Sequence, residues 1–119
     1  MVARFQNCGQ VCIAAKRFIV EASVVEAFTE RFVAAVKALT IGDPFDEATY
    51  VGPMARPDLR EELQTQVEST IAAGAQLMAG GHRIDAPGSF YAPTVLADVR
   101  PGMVAFDAET FGPVAVNRH

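Results

Sequence analysis

Cys12 is the residue of this chain best suited to covalent chemistry. It ends the octapeptide Phe5-Gln6-Asn7-Cys8-Gly9-Gln10-Val11-Cys12 and precedes Ile13-Ala14-Ala15-Lys16, a run that reads as helical. Backbone N–H groups at the first turn of a helix favour negative charge, so a thiol there becomes the nucleophilic thiolate more readily than a free one. A second chemical segment is Glu109-Thr110-Phe111-Gly112-Pro113. A carboxylate can accept two donors, and the plain reading of the segment is an exposed Glu before a strand, with Gly112-Pro113 as punctuation.

The remaining chemical residues read more plainly. Cys8 invites a metal or redox pair with Cys12, but tetrahedral zinc wants four ligands and the chain offers few, so a packing role suits Cys8 better and no metal site is expected. His82 follows Gly80-Gly81 and reads as a solvent-facing turn residue, His119 is terminal, and Glu61-Glu62 reads as a solvated helix face.

The elements that must position these groups follow from periodicity. Arg17-Phe18-Ile19-Val20 predicts a short buried strand. Ser23-Val24-Val25-Glu26 predicts a capping box, in which Ser accepts from the N3 amide and Glu reaches back. The helix it opens carries Val24, Phe28, Phe32, Val36 and Leu39 on one face, and Gly42-Asp43-Pro44 stops it. A second helix is predicted from about Pro57 to Ala73, with Pro in its first turn, Gly74 just beyond its end, and Leu59, Leu63, Val67 and Ile71 as its apolar stripe. Extended segments are predicted over 75–79, over 91–99 with an interruption at Pro93, and over 111–116, where the polar residues Asn117-Arg118-His119 end the last one. Residues 85–89 read as an exposed loop. Strands alternating with helices predict an α/β layer with parallel pairing.

Size and charge exclude several classes. A chain of 119 residues is one domain at most, and 50% hydrophobic residues argue for a packed core rather than disorder. A net charge of -4 argues against a nucleic-acid or anionic-membrane surface. No apolar run approaches the roughly 20 residues of a membrane helix, and the first residues lack a signal-peptide apolar core. Two cysteines separated by three residues make no disulfide framework, which points to a reducing cytoplasm.

Phe5-x-Asn7-x-Gly9-Gln10-x-Cys12, followed by Ala and Arg, resembles the catalytic-cysteine signature of aldehyde dehydrogenases. Glu109-x-Phe111-Gly112-Pro113, about a hundred residues further on, resembles that family's second signature. The intervening Gly42-Asp43-Pro44, Gly52-Pro53, Gly80-Gly81 and Tyr91-Ala92-Pro93-Thr94-Val95-Leu96 follow the family's order. Within the family, residues 10–20 and Gly52-Pro53-Met54-Ala55-Arg56-Pro57-Asp58-Leu59-Arg60 look most similar to bacterial succinate-semialdehyde dehydrogenases.

The resemblance implies a partial aldehyde dehydrogenase catalytic domain over 1–119, with a mostly parallel sheet and flanking helices. It implies NAD(P)-dependent oxidation of a small aldehyde such as succinate semialdehyde. Cys12 would be the nucleophile, its oxyanion held by the Cys12 N–H and an Asn from elsewhere. Glu109 would accept from the nicotinamide ribose of NAD or NADP, and Phe111 would pack by the nicotinamide. Some family members place Gln and Lys near the adenosine ribose from the second helix; Leu59 and Glu62 stand there in this chain, so nothing is carried over. The nucleotide-binding domain, the water-activating Glu and the oxyanion Asn would lie outside these 119 residues, and the sequence would break inside a central strand at Asn117. The expectation is a self-associating fragment with little activity by itself. A non-catalytic α/β remnant or interaction module, or a thiol redox protein using Cys8 and Cys12, are the other readings.

Overall fold

In the computed structural model, which describes residues 1–118, four strands form one sheet in the order β1-β4-β3-β2. These are β1 (Arg17–Ile19), β2 (Gln76–Ala79), β3 (Thr94–Ala97) and β4 (Val114–Arg118). β4 pairs in parallel with both β1 and β3, while β2 runs antiparallel to β3. The sheet is therefore mostly parallel, as the alternation of elements predicts. β3 and β4 lie centrally with both faces covered, which is why they read as near-continuous apolar runs.

The alternation of side chains across β3 and β4 divides two cores. On one face Leu96 and Val116 meet Leu63 and Val67 of α3 (Pro57–Ala72), together with Cys8, Val51, Met54 and Tyr91. On the other, Val95 and Ala115 meet Phe32 and Val36 of α2 (Val25–Lys37), with Phe5. Phe32 is the hub of this second core, with ring centroids 5.0 Å from Phe18, 5.5 Å from Phe28 and 6.3 Å from Phe5. Helix α3 begins with Pro57 at its first turn and gives way to Gly74 in the left-handed region, φ +109°.

Four local expectations are corrected. Cys12–Lys16 is no helix: Cys12 and Ile13 form a turn, and the Ala15 N–H goes to the Ala3 carbonyl at 2.6 Å. The Lys16 carbonyl already accepts from Val116, so the chain is aligned with β4 before a helix could close. Helical structure lies upstream instead, in the single turn α1 (Val2–Phe5), which gives way to a left-handed turn over 6–9. No capping box forms at Ser23, because a turn from Glu21 to Val24 makes Val24 the N-cap and leaves Ser23 outside the helix. β1 is not buried: it is an edge strand, with Ile19 76% exposed.

Nor does the last strand end at Val116. Asn117 pairs with Phe18 in the ladder and is buried, its Nδ2 donating to Thr29 Oγ1 of α2 at 2.5 Å. A buried amide keeps its place in a core when a partner is provided. The strand boundary was misread because Asn117 looks polar in isolation.

Candidate active site

The octapeptide is built as a scaffold around an exposed thiol. Phe5 is fully buried against Phe32 and anchors the segment in the α2-side core. Asn7, Cys8 and Gly9 then take left-handed backbone angles, φ 49°, 58° and 71°. Asn7 tolerates this conformation best among non-glycine residues, and its Nδ2 donates to the Gln10 carbonyl at 3.2 Å while the Gln10 N–H returns to the Asn7 carbonyl at 3.0 Å. Gln10 Oε1 accepts the Ala55 N–H at 2.9 Å, tying the turn to the loop before α3. Gly9 is required twice over: a Cβ there would lie in a strained backbone region and 2.0 Å from the Gly112 carbonyl oxygen. Asn7, Gly9 and Gln10 thus have structural work that explains their places in the motif.

The two cysteines part company. Cys12 is exposed on the turn, whereas Cys8 is buried in the α3-side core. Burial pushes the Cys8 thiol up to about 12, against the opposing pull of the Arg4 charge. Cys8 is therefore a protonated packing residue at neutral pH, and the expected packing role agrees with its surroundings.

Glu109 and Phe111 are brought together. They line a cleft of ≈ 290 Å³ with Leu59, Glu62, Leu63 and Gln66 of α3. The Glu109 backbone carbonyl accepts from Gln66 Nε2 at 3.0 Å, and Phe111 is 40% exposed. Gly112 presses on Leu63, where a Cβ would meet Cδ2 at 2.5 Å. The cleft therefore carries two carboxylates, Glu62 and Glu109, beside an exposed ring and leucine side chains. Cys12 is not among the residues lining this cleft. The Cys12 turn and the cleft segment meet instead through Gly9 and Gly112.

Two residues that sequence reasoning missed hold the segments in place. Arg4, 2% exposed, donates from Nη2 to the Thr110 and Gly112 carbonyls, each at 2.5 Å. Lys16 Nζ donates to the Phe106 carbonyl at 3.1 Å and to that of Ala108. Burial pushes Arg4 down to about 10, still charged at neutral pH, and Lys16 below its usual range. Their partners lie about 90 to 108 positions away, so no local pattern marks them. His82 is exposed beside the Gly80 carbonyl, as expected of a turn residue; His119 lies outside the described residues. No group of three or more His, Cys, Asp or Glu that could hold a metal is found among the described residues. No helix among them is long and apolar enough to cross a membrane.

Comparison with known proteins identifies the family. Residues 1–117 match the model of the aldehyde dehydrogenase family. The chain is 59% identical over 115 residues to succinate semialdehyde dehydrogenase [NAD(P)+] of Escherichia coli, covering 97% of this chain and 25% of that protein. It superposes on succinate-semialdehyde dehydrogenase from Burkholderia pseudomallei with a TM-score of 0.94 and 33% identity, over 98% of this chain and 24% of that one. It superposes on the Streptococcus pyogenes succinic semialdehyde dehydrogenase, solved in complex with NADP+, with a TM-score of 0.92 and 34% identity, over 97% and 25% of the two chains. The chain spans about a quarter of the length of the relatives it matches. Over that span, it belongs to the aldehyde dehydrogenase family.

Proposed function

We propose that these residues are the nucleophile-bearing part of an aldehyde dehydrogenase catalytic domain that oxidises a succinate-semialdehyde-like aldehyde with NAD or NADP. The observation that carries the reading is the junction of Gly9 with Gly112, which joins the segment leading to exposed Cys12 to the strip that bears Glu109 and Phe111. Cys12 would attack the aldehyde carbon as thiolate, forming a C–S bond and a tetrahedral oxyanion, which its own N–H helps to hold. Glu109 would accept from ribose hydroxyls, and Phe111 would flank the nicotinamide, with Gln66 fixing the Glu109 backbone. A nicotinamide cofactor held by Glu109 and Phe111 would supply the acceptor for the hydride of the aldehyde carbon. Cys12 then carries an acyl group as a thioester, and water cleaves the C–S bond to give the acid and restore the thiolate.

The domain assignment follows the same reading: residues 1–119 are part of a catalytic domain, and the nucleotide-binding domain, the water-activating Glu and the oxyanion Asn belong to the other three-quarters of such an enzyme. The isolated chain would therefore turn over little or no aldehyde. Ile13, Ile19 and Phe45, exposed by 87%, 76% and 95%, offer apolar surface through which copies would associate. A cytoplasmic setting, where thiols stay reduced, suits an exposed nucleophilic cysteine.

Alkylation separates this reading from the others. Iodoacetamide at neutral pH, followed by peptide mass spectrometry, should modify Cys12 well before Cys8 in the native chain. Equal, slow modification of both would favour a non-catalytic α/β module, and loss of two hydrogens under mild oxidation would favour the thiol redox reading, which the burial of Cys8 opposes.

A further inference from the structure

Four alternate carbonyls lead into and through the second motif: those of Phe106, Ala108, Thr110 and Gly112. All four accept hydrogen bonds from just two side chains, Lys16 for the first pair and Arg4 for the second. The intervening Glu109 carbonyl points the other way, to Gln66 of α3. The segment is thus held from both sides, by the two cations and by Gln66, with Glu109 and Phe111 lining the cleft beside α3. Both cations come from the sequence that flanks Cys12, one before it and one after it.

We propose that Arg4 and Lys16 act as a paired clamp, positioning residues that fix the Glu109–Phe111 strip relative to the Cys12 turn. The proposal rests on the reading of Cys12 and Glu109 given above, and extends it to residues that touch neither substrate nor cofactor. Three observations favour a positioning role over general packing. Arg4 is buried, yet its guanidinium charge is directed at two main-chain carbonyls, and its Nε has no hydrogen-bond partner. Charge-assisted bonds are stronger and more directional than neutral ones, so a charged donor holds a carbonyl in a narrower range. Finally, the strip over 109–112 makes no ladder pairing of its own, β4 beginning only at Val114, so without the clamp its carbonyls keep only the bonds from Gln66 and from the Val114 N–H, beside packing of Gly112 on Gly9 and Leu63.

A distance measurement tests this in the full 119-residue chain without asking for turnover. A nitroxide carried by a methanethiosulfonate reagent is placed on exposed Cys12 of ¹⁵N-labelled protein, and paramagnetic relaxation is read at the amides of Glu109, Thr110, Phe111 and Gly112. The clamp predicts strong, uneven enhancements in the parent chain. In Lys16→Met and Arg4→Met these should weaken by roughly half or spread over neighbouring amides as charge-assisted bonds are lost, while the amides of Val36, Val95 and Leu96 keep their shifts. Lys16→Arg and Arg4→Lys should recover much of the parent pattern, which mere space-filling by Met would not. An unchanged pattern in the Met variants would overturn the proposal. Should Arg4→Met fail to fold, Lys16→Met with its Arg counterpart decides the matter at the same amides, with the same two outcomes. Failure of the clamp would leave the alkylation preference for Cys12 intact, and failure of that preference would leave the relaxation pattern intact, so the two readings fall separately.

Discussion

Gly9 and Gly112 meet so closely that a single methyl on Gly9 would sit 2.0 Å from the Gly112 carbonyl oxygen. They belong to the two sequence motifs, and their contact joins segments about a hundred positions apart. The contact demands glycine for two separate reasons at position 9, the left-handed φ of +71° and the absence of room.

Gly9→Ala is accordingly expected to cost more than a left-handed alanine alone. Strain in that region costs of order 1–3 kcal/mol, and displacement of the Gly112 carbonyl adds to it by disturbing its bond from Arg4. Urea denaturation should show a loss of at least about 2 kcal/mol. A loss under about 0.5 kcal/mol, the range of ordinary surface substitutions, would mean that the two motifs do not meet as described.

Alkaline pH should destabilise the fold through Cys8. Its thiol is raised from 9.0 to about 12 in the folded state, so the folded chain resists ionisation that the unfolded chain permits. The stability this contributes is fully present below about pH 9 and is lost as pH rises from there toward 12. The difference in urea midpoint between the parent chain and Cys8→Ala, compared at pH 8 and pH 10.5, should move against the parent at the higher pH by on the order of 1–2 kcal/mol. A constant difference would place Cys8 in a wetter environment than the core shown.

Asn117 is expected to belong to the core despite its polarity. Asn117→Ala removes the bond to Thr29 Oγ1 and should destabilise by about 1–2 kcal/mol. Asn117→Asp should cost more at neutral pH, since it buries a carboxylate beside a hydroxyl that can satisfy only part of its charge. Thermal melts of the two variants at neutral pH check the order; Asp melting above Ala would contradict it.

Self-association is expected through the exposed apolar residues. Sedimentation velocity at micromolar concentrations should show mass above the 12.7 kDa of one chain. Replacing Ile13 and Ile19 together by Glu should shift the distribution toward the monomer. A parent chain that stays monomeric over the whole soluble range would remove this part of the account.

What the sequence made legible follows from how local each determinant is. Helix α3 was readable because Pro57, Gly74 and an apolar residue every four positions all act within the helix itself. β3 and β4 were readable because burial on both faces leaves a continuous apolar run. Lys16 and Ala15 look helical by propensity but are committed to Val116 and Ala3, contacts that no local pattern announces. Ser23 has the right companions for a cap, yet a preceding turn moves the helix start past it. Arg4 and Lys16 were passed over for a related reason: basic side chains are ordinarily solvated, and their carbonyl partners lie at the far end of the chain. The motif residues themselves were found; the cations that hold them were not.

The central claim is that Cys12 is an aldehyde-directed nucleophile kept in place by the surrounding scaffold. Its most direct test is the rate at which iodoacetamide modifies Cys12 in the native chain, with and without a saturating small aldehyde such as succinate semialdehyde. Reversible addition of the thiolate to the carbonyl would occupy the sulfur, so the account predicts marked slowing by the aldehyde, little slowing by the corresponding acid, and Cys8 unmodified throughout. Identical rates of Cys12 modification with aldehyde, acid and buffer would contradict it.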